Sequence, residues 1–346
     1  MKRNRLFNRT YFIGILSFFL IFITFNCDWC NSPDDHSQFG WPIDPMNTDH
    51  KIGNSAGEFQ AYADYYVHTG LDILIPEPYP HPNSPYLKAV RDGKLWFFKD
   101  PDDIDEYHSL ILDVDEIRYY YGHIDKESIR ALWGTTFVEN GESDIRQVDY
   151  RDSIGHVVEW RACSFNHIHF MMKNRELDAT YNPLLYLSPR DDDSDPKVEN
   201  ITFSSQGNPA VQFTGSPNIQ VSGLVDITAE ISDTLFSSHN TGIYSISCII
   251  KKSSDSGSEI SFSYTFDQIH RNDDVHIYDK ETSRSDYCGV EVYYYIVTNI
   301  VDGKIDDAGV WDTTSFEDGL YEVEVIAKDV SGNEGSNTVT VEVDNH

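Results

Sequence analysis

The feature that most constrains this 346-residue chain is a strict two-residue apolar period in its C-terminal part. Val225, Ile227, Ala229 and Ile231 alternate with polar residues. So do Tyr321, Val323, Val325 and Ala327, and then Val339, Val341 and Val343. Successive side chains of a strand point to opposite faces, so each run specifies a strand with one dry and one wet face. A helix would scatter the same residues around its circumference. The last two runs are separated by Asp329-Val330-Ser331-Gly332-Asn333-Glu334-Gly335, whose residue types favour turns. No long helical period appears beyond residue 197, and residues 197–346 read as an antiparallel β-sandwich.

Upstream, Asp191-Asp192-Asp193-Ser194-Asp195-Pro196 is a like-charge run closed by Pro, and 191–196 reads as a linker. Residues 39–190 have another texture, with His, Asp and aromatic residues concentrated among short apolar runs. Tyr86–Val90, Gly93–Phe98, Ser109–Val114, Ile117–His123 and His167–Met172 are strand-like, and Lys126–Trp133 suits a short helix. Two domains are thus expected, at 39–190 and 197–346.

The N-terminus reads as an address. Lys2, Arg3, Arg5 and Arg9 precede an apolar run from Tyr11 to Phe25. That run is shorter than the ~20 residues of a membrane span and suits a secretory leader over 1–26. The run ends at Asn26-Cys27, and Cys27 resembles the acylated cysteine of bacterial lipoproteins. Simple cleavage and an uncleaved anchor remain alternatives. The chain is therefore expected in the cell envelope or outside the cell, with membrane attachment through a lipidated Cys27 if the lipoprotein reading holds. In that setting Cys248 and Cys288 are a candidate disulfide within the sandwich, if their Cα atoms lie close enough.

Charge excludes whole classes of partner. There are 57 acidic against 26 basic residues, a net charge of −31. Loss of the four basic leader residues leaves 22 against 57, or −35. No nucleic-acid partner is expected, because phosphate neutralisation needs clustered Lys and Arg.

Three histidine motifs carry chemistry. His68-Thr69-Gly70-Leu71-Asp72 places an imidazole and a carboxylate, both good zinc ligands, around a glycine that allows a tight turn. Asn166-His167-Ile168-His169-Phe170 puts two imidazoles on one face of a strand, with Ile168 and Phe170 on the other. Tyr121-Gly122-His123-Ile124 ends an aromatic strand with a histidine. Tyr62, Tyr65 and Tyr66 precede the first motif and read as core or groove wall, with an oxyanion donor as the alternative.

In this order and with these gaps, the motifs resemble the lysostaphin/LytM-type zinc endopeptidases over about residues 39–190. Phe39-Gly40-Trp41-Pro42, Lys88–Leu95 and Ser153-Ile154-Gly155 add to the resemblance. It implies a mainly β protein: a LytM-like antiparallel β-sheet peptidase domain followed by the sandwich. It implies His68, Asp72 and His169 as ligands of one Zn²⁺, His123 and His167 as the catalytic pair, and a peptidoglycan peptide as substrate. Other extracellular proteins as substrate, or a non-enzymatic adaptor on the same fold, are the alternatives. The chain departs from the family pattern at Phe165-Asn166, at Met171 and along His156–Arg161, positions around the groove that bear on substrate choice. Asp318–Val323 through Asp329–Asn333 resembles the final hairpin of bacterial immunoglobulin-like domains, whose role here would be a spacer or a contact with protein or cell wall.

Overall fold

The computed structural model describes residues 38–346 except 62–63, 76–84, 103, 135–144, 161–164, 177–179, 236–238, 255–258 and 286–290. Residues 1–26, read above as a leader, and Cys27, Tyr62 and Cys288 lie outside the described residues. The mainly β expectation holds: antiparallel ladders dominate, and the helix at Lys126–Trp133 is the only α-helix among the described residues.

A large antiparallel sheet organises the first half. Its order is Ile52–Asn54, Leu71–Leu74, His167–Asn174, Ile117–Gly122, Ser109–Val114, Gly93–Phe98 and Arg146–Val148. Alternation decides which side is dry. Leu71, Ile73, Ile168, Phe170, Leu110, Leu112, Tyr119 and Tyr121 all turn into one cluster of buried residues. Each such Leu, Ile or Phe contributes ~1.5–3 kcal/mol by leaving water. Asp72, His167 and His169 fall on the opposite parity of the same strands and therefore on the other face.

Two expected strands are shorter than their sequence suggests. The Ile117 strand ends at Gly122 because His123 takes φ 64°, in the left-handed region where a ladder cannot continue. The Tyr86–Val90 piece pairs only at Leu87–Lys88. Beyond it, Ala89 N–H donates to Asp152 O at 3.0 Å and Val90 N–H to the Tyr121 hydroxyl at 3.1 Å. The helix forms as expected, with Asp125 accepting from the backbone N–H groups of Glu127 and Ser128.

The second half is a two-sheet sandwich. One sheet runs Asn208–Gln212, Lys197–Ser205, Leu224–Ser232 and Tyr293–Ile296, with Trp311–Asp312 also on Leu224–Ser232. The other runs Ile219–Val221, Glu334–Val343, Gly319–Lys328, Ser245–Lys252 and Glu259–Thr265. The alternating residues meet as expected: Val225, Ile227, Ala229 and Ile231 face Tyr321, Val323, Val325 and Ala327 in one buried cluster. Cys248 is a buried free thiol in this cluster.

The described residues from 38 onward form a single compact unit around these two clusters. Several contacts cross the acidic segment at 191–196. Thr180–Tyr181 pairs with Gln268–Ile269, and Ala56, Phe59 and Val67 pack into the second cluster. The acidic segment has no regular structure, yet it is tied down: Asn333 Nδ2 donates to Asp192 O at 3.0 Å.

Candidate metal and catalytic site

The site is built where the Leu71 and His167 strands run side by side. Their register places His169 directly opposite Asp72 and His167 opposite Leu74. His68, one turn of chain before Asp72, closes the group. His68 Nε2 lies 3.2 Å from Asp72 Oδ1 and 3.0 Å from His169 Nδ1, and His169 Nδ1 lies 2.9 Å from Asp72 Oδ1. Three donor atoms of two imidazoles and a carboxylate thus form a triangle with sides near 3 Å; the His68 and Asp72 side chains are buried and the His169 side chain is 21% exposed.

The glycines around this triangle have a steric role. A Cβ on Gly70 would lie 2.8 Å from His169 Nε2 and Cε1, and one on Gly122 would lie 3.2 Å from His169 Cβ. Gly70 is therefore required by the ring packed over it; its φ is not in the left-handed region, and the turn reason expected from the sequence is replaced by a contact reason.

The other two histidines stand beside the triangle. His167 Nε2 is 3.7 Å from Asp72 Oδ1, and the rings of His123 and His167 meet edge to face at 4.5 Å. His123 is 6.0 Å from His169 between ring centroids. A carbonyl oxygen only accepts, so the contacts of the ring nitrogens fix their tautomers. His68 Nδ1–H donates to Ser55 O at 3.0 Å, His167 Nδ1–H to Phe165 O at 2.7 Å, and His123 Nδ1–H to Glu106 O. In the neutral form of each ring, Nε2 is then the unprotonated nitrogen and faces the site. The backbone of His123 is clamped in its left-handed conformation by Val158 N–H to His123 O at 2.8 Å and Ile124 N–H to His108 O at 3.0 Å.

Electrostatics follow from burial and the shared carboxylate. Burial works to raise the Asp72 carboxyl, but His68, His167 and His169 outweigh it and hold it well below the usual range. Burial pulls His68 down, and Asp72 with Glu58 more than reverses this. Burial lowers His167 and His169, and it drives His123 down to about 3 with help from the two neighbouring rings. Neutral imidazoles are the form that binds a metal and accepts a proton.

All five residues expected from the sequence are brought together here. Others had no sequence signal. Glu58 is buried and accepts from Asn54 Nδ2 at 2.9 Å, Ser55 N–H at 2.5 Å and the Tyr293 hydroxyl at 3.2 Å. Burial lifts its carboxyl to about 7. Ser55 Oγ donates to Thr241 O at 2.5 Å, so the residue that orients His68 is itself held by the sandwich half. Trp160 packs 4.6 Å from His123 and 5.0 Å from His167, with Tyr107 beyond it at 6.3 Å. Tyr66, one of the three expected wall tyrosines, is half-buried.

The donor set fits zinc. Two imidazole nitrogens and one carboxylate oxygen converge with a spacing that lets one ion reach all three, and the other nitrogen of His68 is fixed by a carbonyl, the usual support of a metal-bound histidine. Three such ligands would leave a fourth position open, as catalytic zinc requires.

No protein-family model matches the chain, and neither does any curated protein. Among solved structures it is similar to the antimicrobial peptidase lysostaphin from Staphylococcus simulans, at 14% identity and a TM-score of 0.30, over 71% of this chain and 87% of that one. A likeness of that size leaves the functional weight on the site.

Proposed function

We propose that the protein is an exported zinc metalloendopeptidase that hydrolyses peptide bonds of peptidoglycan. The observation that carries this reading is the triangle of His68 Nε2, Asp72 Oδ1 and His169 Nδ1 with two further imidazole Nε2 atoms beside it. His68, Asp72 and His169 would hold the ion. When bound, zinc supplies Lewis-acid polarisation of the scissile carbonyl and acidifies water for attack.

The rest of the work falls to this chain's own residues. His123 and His167 present their Nε2 lone pairs because each Nδ1–H is committed to a backbone carbonyl. One Nε2 takes the proton of the attacking water, and the same or the other ring returns it to the leaving amine. Trp160 packs against both rings, with Tyr107 beyond it. The peptidoglycan substrate is supported by the motif resemblance, and action outside the cytoplasm by the leader at 1–26, with Cys27 a candidate attachment point.

The test is release of new amino termini from purified peptidoglycan by the full chain. Activity should vanish with a chelator, return with zinc and be absent from His169→Ala. Hydrolysis that survives both treatments removes the zinc reading. A zinc-loaded chain that cleaves neither wall nor protein substrates favours the adaptor.

A further inference from the structure

A cation from the sandwich half reaches the edge of the site. Arg271 follows strand Gln268–Ile269, yet its backbone O accepts from Val67 N–H at 3.0 Å, one residue before His68. Its guanidinium carbon lies 4.0 Å from the centre of the Tyr66 ring.

The guanidinium is exposed, and no carboxylate pairs with it among the described residues. That is notable in a chain with 57 acidic and 26 basic residues, and beside Asp273 and Asp274. Asp274 instead accepts from the His270 N–H at 2.8 Å. Stacking on an aromatic ring holds a guanidinium flat and leaves its edge N–H groups free, the arrangement that grips a carboxylate in a bidentate pair.

We propose that Arg271 is the carboxylate-recognising residue of the cleft, and that the preferred substrate is a peptide with a carboxylate close to the bond cleaved. The inference rests on the peptidase reading for the word substrate, and on the placement of Arg271 for the carboxylate. A sequence of net charge −31 repels anionic peptides at long range, so one unpaired arginine at the site edge gives local discrimination that the overall charge does not.

The test uses acetylated, amidated alanine–glycine hexapeptides in which one Glu is moved along the chain, each with its Gln counterpart. Binding is measured by calorimetry on the zinc-loaded full chain carrying His123→Ala, which stops turnover. A Glu peptide should bind at least about tenfold more tightly than its Gln partner, the weight of one charge-assisted pair. Arg271→Gln should erase that ratio, and Arg271→Lys, which keeps the charge but not the fork, should restore only part of it. No Glu preference at any position, or a preference that survives Arg271→Gln in a chain with unchanged circular dichroism, overturns the proposal. Hydrolysis of the same peptides by the chain with His123 intact separates the two readings. Arg271-dependent binding without cleavage removes the peptidase and keeps the carboxylate site; cleavage without preference does the reverse.

Discussion

At the scale of single residues, the site depends on small side chains as much as on the histidines. Gly70 allows the His169 ring to lie where its Nδ1 meets Asp72 Oδ1 at 2.9 Å. Gly70→Ala should lower zinc affinity by about 10–100-fold, the range for lost support of a metal ligand, with the circular dichroism spectrum retained. A competition titration against a zinc dye measures it. The clustering of the five residues singled out in the sequence was legible because their spacing survives as geometry: His167 and His169 are two apart on a strand, and Asp72 lies opposite His169. Glu58, Tyr293 and Arg271 were not legible. Glu58 lies in the segment just before His68 but in no pattern that marks it, while Tyr293 and Arg271 come from distant chain segments, and a linear sequence holds no signal for contacts such as Tyr293 to Glu58.

At the scale of elements, the His167–Asn174 strand carries core and chemistry on opposite faces. Ile168 and Phe170 are fully buried while His167 and His169 face the site. Ile168→Ala should cost about 2–5 kcal/mol in chemical denaturation, the loss expected from a cavity in a packed core. Period two made this strand, and the alternating strands of the sandwich, readable in advance. The ends were less so. His123 ends its strand by adopting φ 64°, a conformation imposed by Val158 and the carbonyl of Glu106, residues far along the chain.

At the scale of the whole molecule, the sandwich half completes the site. It covers Ala56, Phe59 and Val67, bonds Ser55 through Thr241 and Glu58 through Tyr293, and supplies Arg271. A chain ending at residue 190 should therefore bind zinc more weakly than the full chain in the same dye titration. A second whole-molecule effect comes from Asp192, Asp233 and Asp329, whose carboxylates lie within 4.8 Å of one another. Burial, then repulsion from the neighbouring carboxylates, lifts Asp233 to about 7. The folded state then holds a proton that the unfolded chain releases near the ordinary aspartate range, so this contribution is full below about pH 4 and is lost as pH rises through about 7. Asp233→Asn should stabilise the protein by about 1–3 kcal/mol at pH 8 and by little at pH 4, read from urea midpoints at the two pH values.

The proposed division of the five residues, three to hold zinc and two to move protons, is tested most directly by zinc content and peptidoglycan hydrolysis, measured side by side on five alanine variants of the full chain. His68→Ala, Asp72→Ala and His169→Ala should lose both. His123→Ala and His167→Ala should keep one zinc per chain and lose hydrolysis by about 10²–10⁴-fold. Zinc retained at full occupancy in the first three, or hydrolysis at the parental rate in the last two, would contradict the account.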